Sequence, residues 1–110
     1  MITITIKRNK NNEIVSFNLA GHAGYAKEGY DIVCAAVSAV ANMALIGFSE
    51  LNIMPKYEAS DGGFLSVEVP QNIDEILNIK LQFLLECMVQ EFMDIKNNYG
   101  KYIKIIQETT

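Results

Sequence analysis

The sequence predicts an α+β fold, a largely antiparallel sheet with two long helices packed on it. Three observations point there. Apolar and polar residues alternate strictly at the start of the chain, as in a half-buried strand. Asp61-Gly62-Gly63 sits between two further β-rich runs, a strong hairpin signal. Two stretches of helical length each follow a pair of strands, and hairpins alternating with helices favour this fold class. The predicted order is strand, strand, helix, strand, strand, helix, strand.

Ile2, Ile4 and Ile6 alternate with Thr3, Thr5 and Lys7 and form the first predicted strand. Asn9-Lys10-Asn11-Asn12 is turn chemistry, because Asn tolerates positive φ and bonds to its own backbone. Val15, Phe17 and Leu19 alternate in a second strand, which makes the opening a hairpin. From Gly21 to Tyr30 there are three glycines and no apolar period, so a loop is expected. Asp31 can cap a helix from about Ile32 to Leu51. Between Ile32 and Ser49 no residue is charged, so this helix is expected to be buried on most of its circumference or covered by a partner chain. Pro55 marks its end.

Lys56–Ser60 and Phe64–Val69 flank the Asp61-Gly62-Gly63 turn, where Asp-Gly would supply the positive φ angles. Leu65, Val67 and Val69 share one side of that hairpin. The second helix carries Ile73, Leu77, Leu81, Leu84, Met88, Phe92 and Ile95 at spacings of three and four. Gly100 closes it, and Tyr102–Ile106 supply a last strand.

The 110 residues suit one domain spanning 1–110, and the sequence contains no linker, repeat or low-complexity segment. Half of the residues are apolar and a fifth are charged, the reverse of the balance in a disordered chain. A net charge of -4, with Lys7-Arg8 as the only adjacent basic pair, argues against direct nucleic-acid binding. An acidic protein can still be drawn to a basic partner. Met1–Asn9 alternates and so lacks the apolar core of a signal peptide. No apolar run is expected to approach the length that crosses a bilayer, so no membrane association is predicted. The expected location is the cytoplasm, where Cys34 and Cys87 would be free thiols. Two Cys and one His fall short of a structural zinc site unless carboxylates or a second subunit complete it. No cofactor is predicted.

Cys34 and His22 are the candidate catalytic residues. With Asp31 as N-cap, Cys34 lies in the first helical turn, where unpaired N–H groups and the helix dipole stabilise a thiolate nucleophile. Cys87 lies in mid-helix beside Phe83 and Met88, where neither effect operates. His22 is the only histidine, at the start of the loop that leads into the Cys34 helix. An imidazole there could take the thiol proton and return it to a leaving amine. Gly21 beside it leaves space for a close approach. Asp31 has two readings, as the helix cap and as a carboxylate that orients His22. Ser38, one turn beyond Cys34, is either a small packing residue or a hydroxyl bonding to thiol or substrate.

The string Gly21-His22-Ala23 … Gly29-Tyr30-Asp31-Ile32-Val33-Cys34-Ala35-Ala36-Val37-Ser38 resembles the signature of the ribosomal-processing cysteine protease family, Prp. That signature is a Gly-His pair, a short loop, Gly-x-Asp-x-Val-Cys and a Ser one turn later. No signature position departs from it, and the remainder of the chain resembles the family in length and element order. The resemblance implies an endopeptidase that removes a short N-terminal extension, apolar and aromatic near the cut, from large-subunit ribosomal protein twenty-seven. It implies Cys34 as nucleophile and His22 as its base, with Asp31 and Ser38 lining the site. It also implies a homodimer, which would suit the uncharged first helix. Gly24 and Gly29 would hinge a loop that closes over substrate, with Tyr25 and Tyr30 either aromatic surface for the peptide or ordinary loop anchors.

Two other readings remain beside the protease. One is a non-enzymatic ribosome-assembly module that binds the same peptide without cutting it. The other is a transition-metal binder through His22, Cys34 and Asp31.

Overall fold

The computed structural model describes residues 1–24, 26–27 and 31–110. The elements follow the predicted order: β1 (Ile2–Arg8), β2 (Ile14–Ala20), α1 (Ile32–Glu50), β3 (Lys56–Ser60), β4 (Phe64–Glu68), α2 (Glu75–Asn98) and β5 (Ile103–Thr109), with a short 3-10 turn at Gly100–Tyr102 before β5. The five strands form one sheet in the order β3-β4-β2-β1-β5. Its pairings are antiparallel except β1 with β5, which run parallel with Ile2 opposite Ile103. The fold is therefore α+β with a mostly antiparallel sheet, as the hairpin-helix alternation predicts.

Asn chemistry makes the first turn. The Asn9 side-chain oxygen accepts from the N–H groups of Asn11 and Glu13 at 2.9 and 3.0 Å, and Asn12 holds φ 64°. This sets the β1–β2 register, in which Ile4 faces Leu19 and Ile6 faces Phe17. One face of the sheet is then Ile2, Ile4, Ile6, Phe17, Leu19 and Val67, all buried. Both helices cover that face and complete one core, α1 with Val33, Val37, Ala41, Ala44 and Phe48, and α2 with Leu81, Leu85, Met88, Val89, Phe92 and Ile95. The opposite face carries Thr3, Thr5, Ser16, Asn18 and Ser66, with a 2.9 Å bond from Ser66 to Asn18 across the strands. That division is the period of two read from the sequence.

The helices approach each other at Gly47, where a Cβ would lie 1.9 Å from Leu84 Cδ2. Leu84 is half-buried there and Leu85 takes the core position beside it. Gln82 ties α2 to β2: its Oε1 accepts from Ile14 N–H at 2.8 Å and its Nε2 donates to Ile14 C=O at 2.9 Å. Arg8 and Glu86 form a two-pronged ion pair that joins β1 to α2.

Three expectations need correction. First, α1 is not buried on most of its circumference within this chain: only one stripe is covered, and Ile32, Met43 and Ile46 stay exposed at 51%, 46% and 54%. Apolar residues lie all round this helix, more than the sheet and α2 together cover. Second, α1 does reach bilayer-crossing length, with 19 residues and a mean hydropathy of 2.0. Its buried stripe nonetheless belongs to the shared core with the sheet and α2, the placement of a core helix. Third, the positive φ in the β3–β4 turn falls on Gly63, at 80°, and not on Asp61-Gly62. Ser60 pairs with Phe64, so the loop has three residues, and a left-handed third residue is what such a loop requires.

Candidate active site

The site forms where the end of β2, the start of α1 and the β3–β4 turn meet. Asp31 caps α1 as predicted. Its Oδ1 accepts from the N–H groups of Val33 and Cys34, each at 3.0 Å, and its carbonyl accepts from Ala35 N–H at 3.1 Å. The cap fixes the first turn and so the direction in which Cys34 leaves the helix. It also occupies the N–H groups of Val33 and Cys34, which leaves the Cys34 thiol to meet other backbone.

That backbone is Gly21–Ala23. Gly21 holds φ 93°, and a Cβ there would lie 2.5 Å from the Met1 carbonyl oxygen, so only glycine lets β2 turn away at this point. Its N–H donates to the Gly63 carbonyl at 2.9 Å, which fastens the strand end to the β3–β4 turn. The amino group of Met1 donates to the His22 carbonyl at 2.5 Å. Ala23 is buried, and its N–H donates to Cys34 Sγ at 3.3 Å. The two segments that carry the candidate base and nucleophile thus touch directly, backbone to sulfur.

Cys34 is half-buried and His22 is exposed. Two cavities meet at this pair, and His22, Cys34 and Ser38 line both. The larger, about 510 Å³, runs along α1 past Val37, Ala41, Asn42 and Leu45, with Ile2, Leu19, Ala59 and Leu65 as its floor and far wall. The smaller, about 350 Å³, lies toward Gly24, Ala26, Asp31 and Ala35. A half-buried thiol between a long, mostly apolar groove and a second hollow can engage an extended chain that passes on both sides of it.

Gly21, His22, Asp31, Cys34 and Ser38 all line one or both of these cavities. Ser38 is exposed toward the cavities, which removes the packing reading for it. Gly29 and Tyr30, and Tyr25 with them, lie outside the described residues. Cys87 is exposed on α2 in a separate hollow with Phe83, Glu86, Gln90 and Glu91. Among the described residues no three His, Cys, Asp or Glu side chains gather as a metal would require, so the metal-binding reading lacks its geometry.

The sequence reading missed the far wall of the groove. Asn42 could have been found, since Cys34, Ser38 and Asn42 recur every four residues along one face of α1. Ala59, Ser60, Asp61 and Gly63 could not, because a β-hairpin 25 or more positions downstream reaches the groove only through the β2–β4 pairing.

Comparison with known proteins identifies the family. Residues 1–104 match the family model described as cysteine protease Prp. The chain is 34% identical over 111 residues to the ribosomal processing cysteine protease Prp of Bacillus subtilis, an alignment that covers 96% of each chain. Its fold is similar to the crystal structure of an essential ribosomal processing protease Prp from S. aureus in complex with a covalently linked product peptide. That match has a TM-score of 0.87 and 26% identity, covering 97% of this chain and 99% of the other. The same S. aureus protease in complex with a substrate peptide superposes with a TM-score of 0.81, at 26% identity and the same coverage.

Proposed function

The chain belongs to the cysteine protease Prp family and is a cysteine protease, and from that premise we propose that it removes the N-terminal extension of large-subunit ribosomal protein twenty-seven with Cys34 as nucleophile and His22 as general acid and base. Membership in a protease family sets aside the non-enzymatic alternative. The observation that carries the assignment is the half-buried Cys34 thiol at the junction of two cavities that the only histidine also lines.

In this reading Cys34 Sγ attacks the scissile carbonyl and His22 delivers its proton to the departing amine. Water, deprotonated by His22, then opens the thioester and frees the enzyme. The groove of Val37, Ala41, Leu45, Leu19 and Leu65 takes the apolar and aromatic residues that precede the cut, and the smaller hollow takes those that follow. The Val33 and Cys34 N–H groups are bonded to Asp31 and that of Gly21 to Gly63, so the oxyanion donor is assigned to the Ala23 N–H, which faces the sulfur beside which the oxyanion forms. Ser38 and Asn42 supply polar contacts to the peptide backbone along the groove. The covalently linked peptide on the S. aureus relative supports a nucleophilic route of this kind.

The working form in this proposal is a cytoplasmic homodimer of one protease domain, residues 1–110. The exposed apolar face of α1, with Ile32, Met43 and Ile46, supports a partner chain.

Incubation with the precursor of the ribosomal protein, followed by mass measurement, tests the assignment. Cys34→Ala and His22→Ala are each expected to lower kcat by at least about a thousandfold. Unimpaired trimming by either variant refutes the assigned role of that residue.

A further inference from the structure

His22 is exposed, and an exposed imidazole normally samples several rotamers. A general base must instead hold one orientation toward its thiol. What limits the ring here comes from the β3–β4 turn. A Cβ built on Gly63 would lie 3.0 Å from His22 Cε1 and 3.1 Å from Nε2, closer than carbon normally approaches either atom. It would also lie 2.8 Å from the Gly21 carbonyl oxygen, a backbone atom that cannot swing aside. The imidazole edge therefore rests on bare backbone, in space that any other residue would fill.

The same turn holds the chain on which His22 sits. Gly63 C=O accepts from Gly21 N–H at 2.9 Å, one residue before the histidine. The φ of 80° at Gly63 is a backbone conformation that residues with a Cβ rarely adopt. Gly62 is different: a Cβ there would meet only Ser60 Oγ, at an ordinary 3.8 Å. Of the two glycines in the turn, only Gly63 is closed to a side chain, by its φ, by the Gly21 carbonyl and by the histidine ring together.

We infer that Gly63 is a positioning residue for His22: the absence of a side chain at the tip of the β3–β4 turn is the seat of the imidazole. This rests on the proposed role of His22 as general base. Any side chain at position 63 must displace the ring or the Gly21–His22 backbone by a few tenths of an ångström. Misplacement of a catalytic group on the ångström scale lowers rates by up to about a hundredfold.

Because His22 is the only histidine, its Cε1–H signal in a carbon-proton NMR spectrum is unambiguous. The purified wild type should show a nuclear Overhauser contact between that proton and the Gly63 Cα protons. Gly62→Ala, Gly63→Ala and Gly63→Asn are then compared for that signal, for thermal unfolding, and for kcat and KM on a peptide with an aromatic residue before the scissile bond. Asn tolerates positive φ yet carries a Cβ, so Gly63→Asn removes the φ penalty and leaves the clash of a Cβ with the ring and the Gly21 carbonyl, the two groups that place His22. Both Gly63 variants should move the His22 signal and lower kcat about tenfold or more, with KM within about twofold of wild type. Gly62→Ala should change none of these. An absent Overhauser contact in the wild type overturns the inference, even if neither Gly63 variant folds. A folded Gly63→Asn that keeps wild-type kcat also overturns it. His22→Ala in the same assay separates the two levels: its full activity would remove the role of His22 itself, whereas its inactivity beside an active Gly63→Asn removes only the positioning claim.

Discussion

Asp31→Ala removes the one oxygen that accepts from two backbone N–H groups, those of Val33 and Cys34, each at 3.0 Å. Loss of an Asp cap costs about 1 kcal/mol. The carboxylate also faces the positive end of the α1 dipole, which adds about 0.5 kcal/mol at a partly exposed site. Asp31→Asn keeps an acceptor oxygen and loses only the charge, so it should forfeit the smaller part alone. With an unfolding entropy of about 2 cal/mol/K per residue, a chain of this size should lose roughly 6 °C in Tm for Asp31→Ala and about 2 °C for Asp31→Asn. Thermal unfolding followed by circular dichroism, with urea unfolding as a second measure, reads both values. If Asn destabilises as much as Ala, the two hydrogen bonds are not what Asp31 contributes, and the account of how the first turn carries Cys34 is wrong. Cleavage rates of the same two variants then show what the charge adds beyond the cap.

Gln82→Leu should cost about 2–3 kcal/mol, because it strands both the N–H and the C=O of fully buried Ile14; urea unfolding that shows a loss below 0.5 kcal/mol, an order-of-magnitude threshold, contradicts the clamp. A peptide seated in the groove should protect half-buried Cys34 from iodoacetamide and leave exposed Cys87, in its separate hollow, as reactive as before, and peptide mapping decides between them. Glu13 is held below the usual carboxylate range by bonds from Asn9 Nδ2 at 3.0 Å and Asn78 Nδ2 at 2.7 Å. A carboxylate depressed in the folded state contributes stability above its unfolded pKa and loses it as pH falls through the folded value. Asn78→Ala should therefore raise the Glu13 titration midpoint in NMR and bring acid unfolding to a slightly higher pH.

Local rules carried the sequence reading a long way, and tertiary ones set its limits. The alternation of Ile2, Ile4 and Ile6, the Asn turn and the Asp31 cap are each decided within a few residues, and each stands in the structure. His22 and Cys34 were legible for a related reason, since a strand end and the next helix start share one edge of the sheet. The parallel pairing of β1 with β5 had no local signal, because it depends on which edge remains open after β4 has taken the side of β2. The turn at Asp61-Gly62-Gly63 was visible as a turn, but which glycine needs positive φ depends on Gly21 and His22 packed against it. The sequence left open whether its own chain or another covers uncharged α1, because the two look alike in residue types, and the exposure of Ile32, Met43 and Ile46 sets aside the first alternative.

The parallel pair β1–β5 also dictates the order in which the molecule can be made. β1 finds β2 across a short Asn turn at once, whereas its other edge waits for a strand near the far end of the chain, with Arg8 bonded to Gln107 at a separation of 99 residues. Closing so long a loop is slow relative to helix and hairpin formation. Ile2 lines the groove and pairs with Ile103, so the floor of the groove is fixed only when that last strand docks. A growing chain that still lacks β5 has already made His22 and Cys34 but has not yet secured the surface on which a peptide would lie.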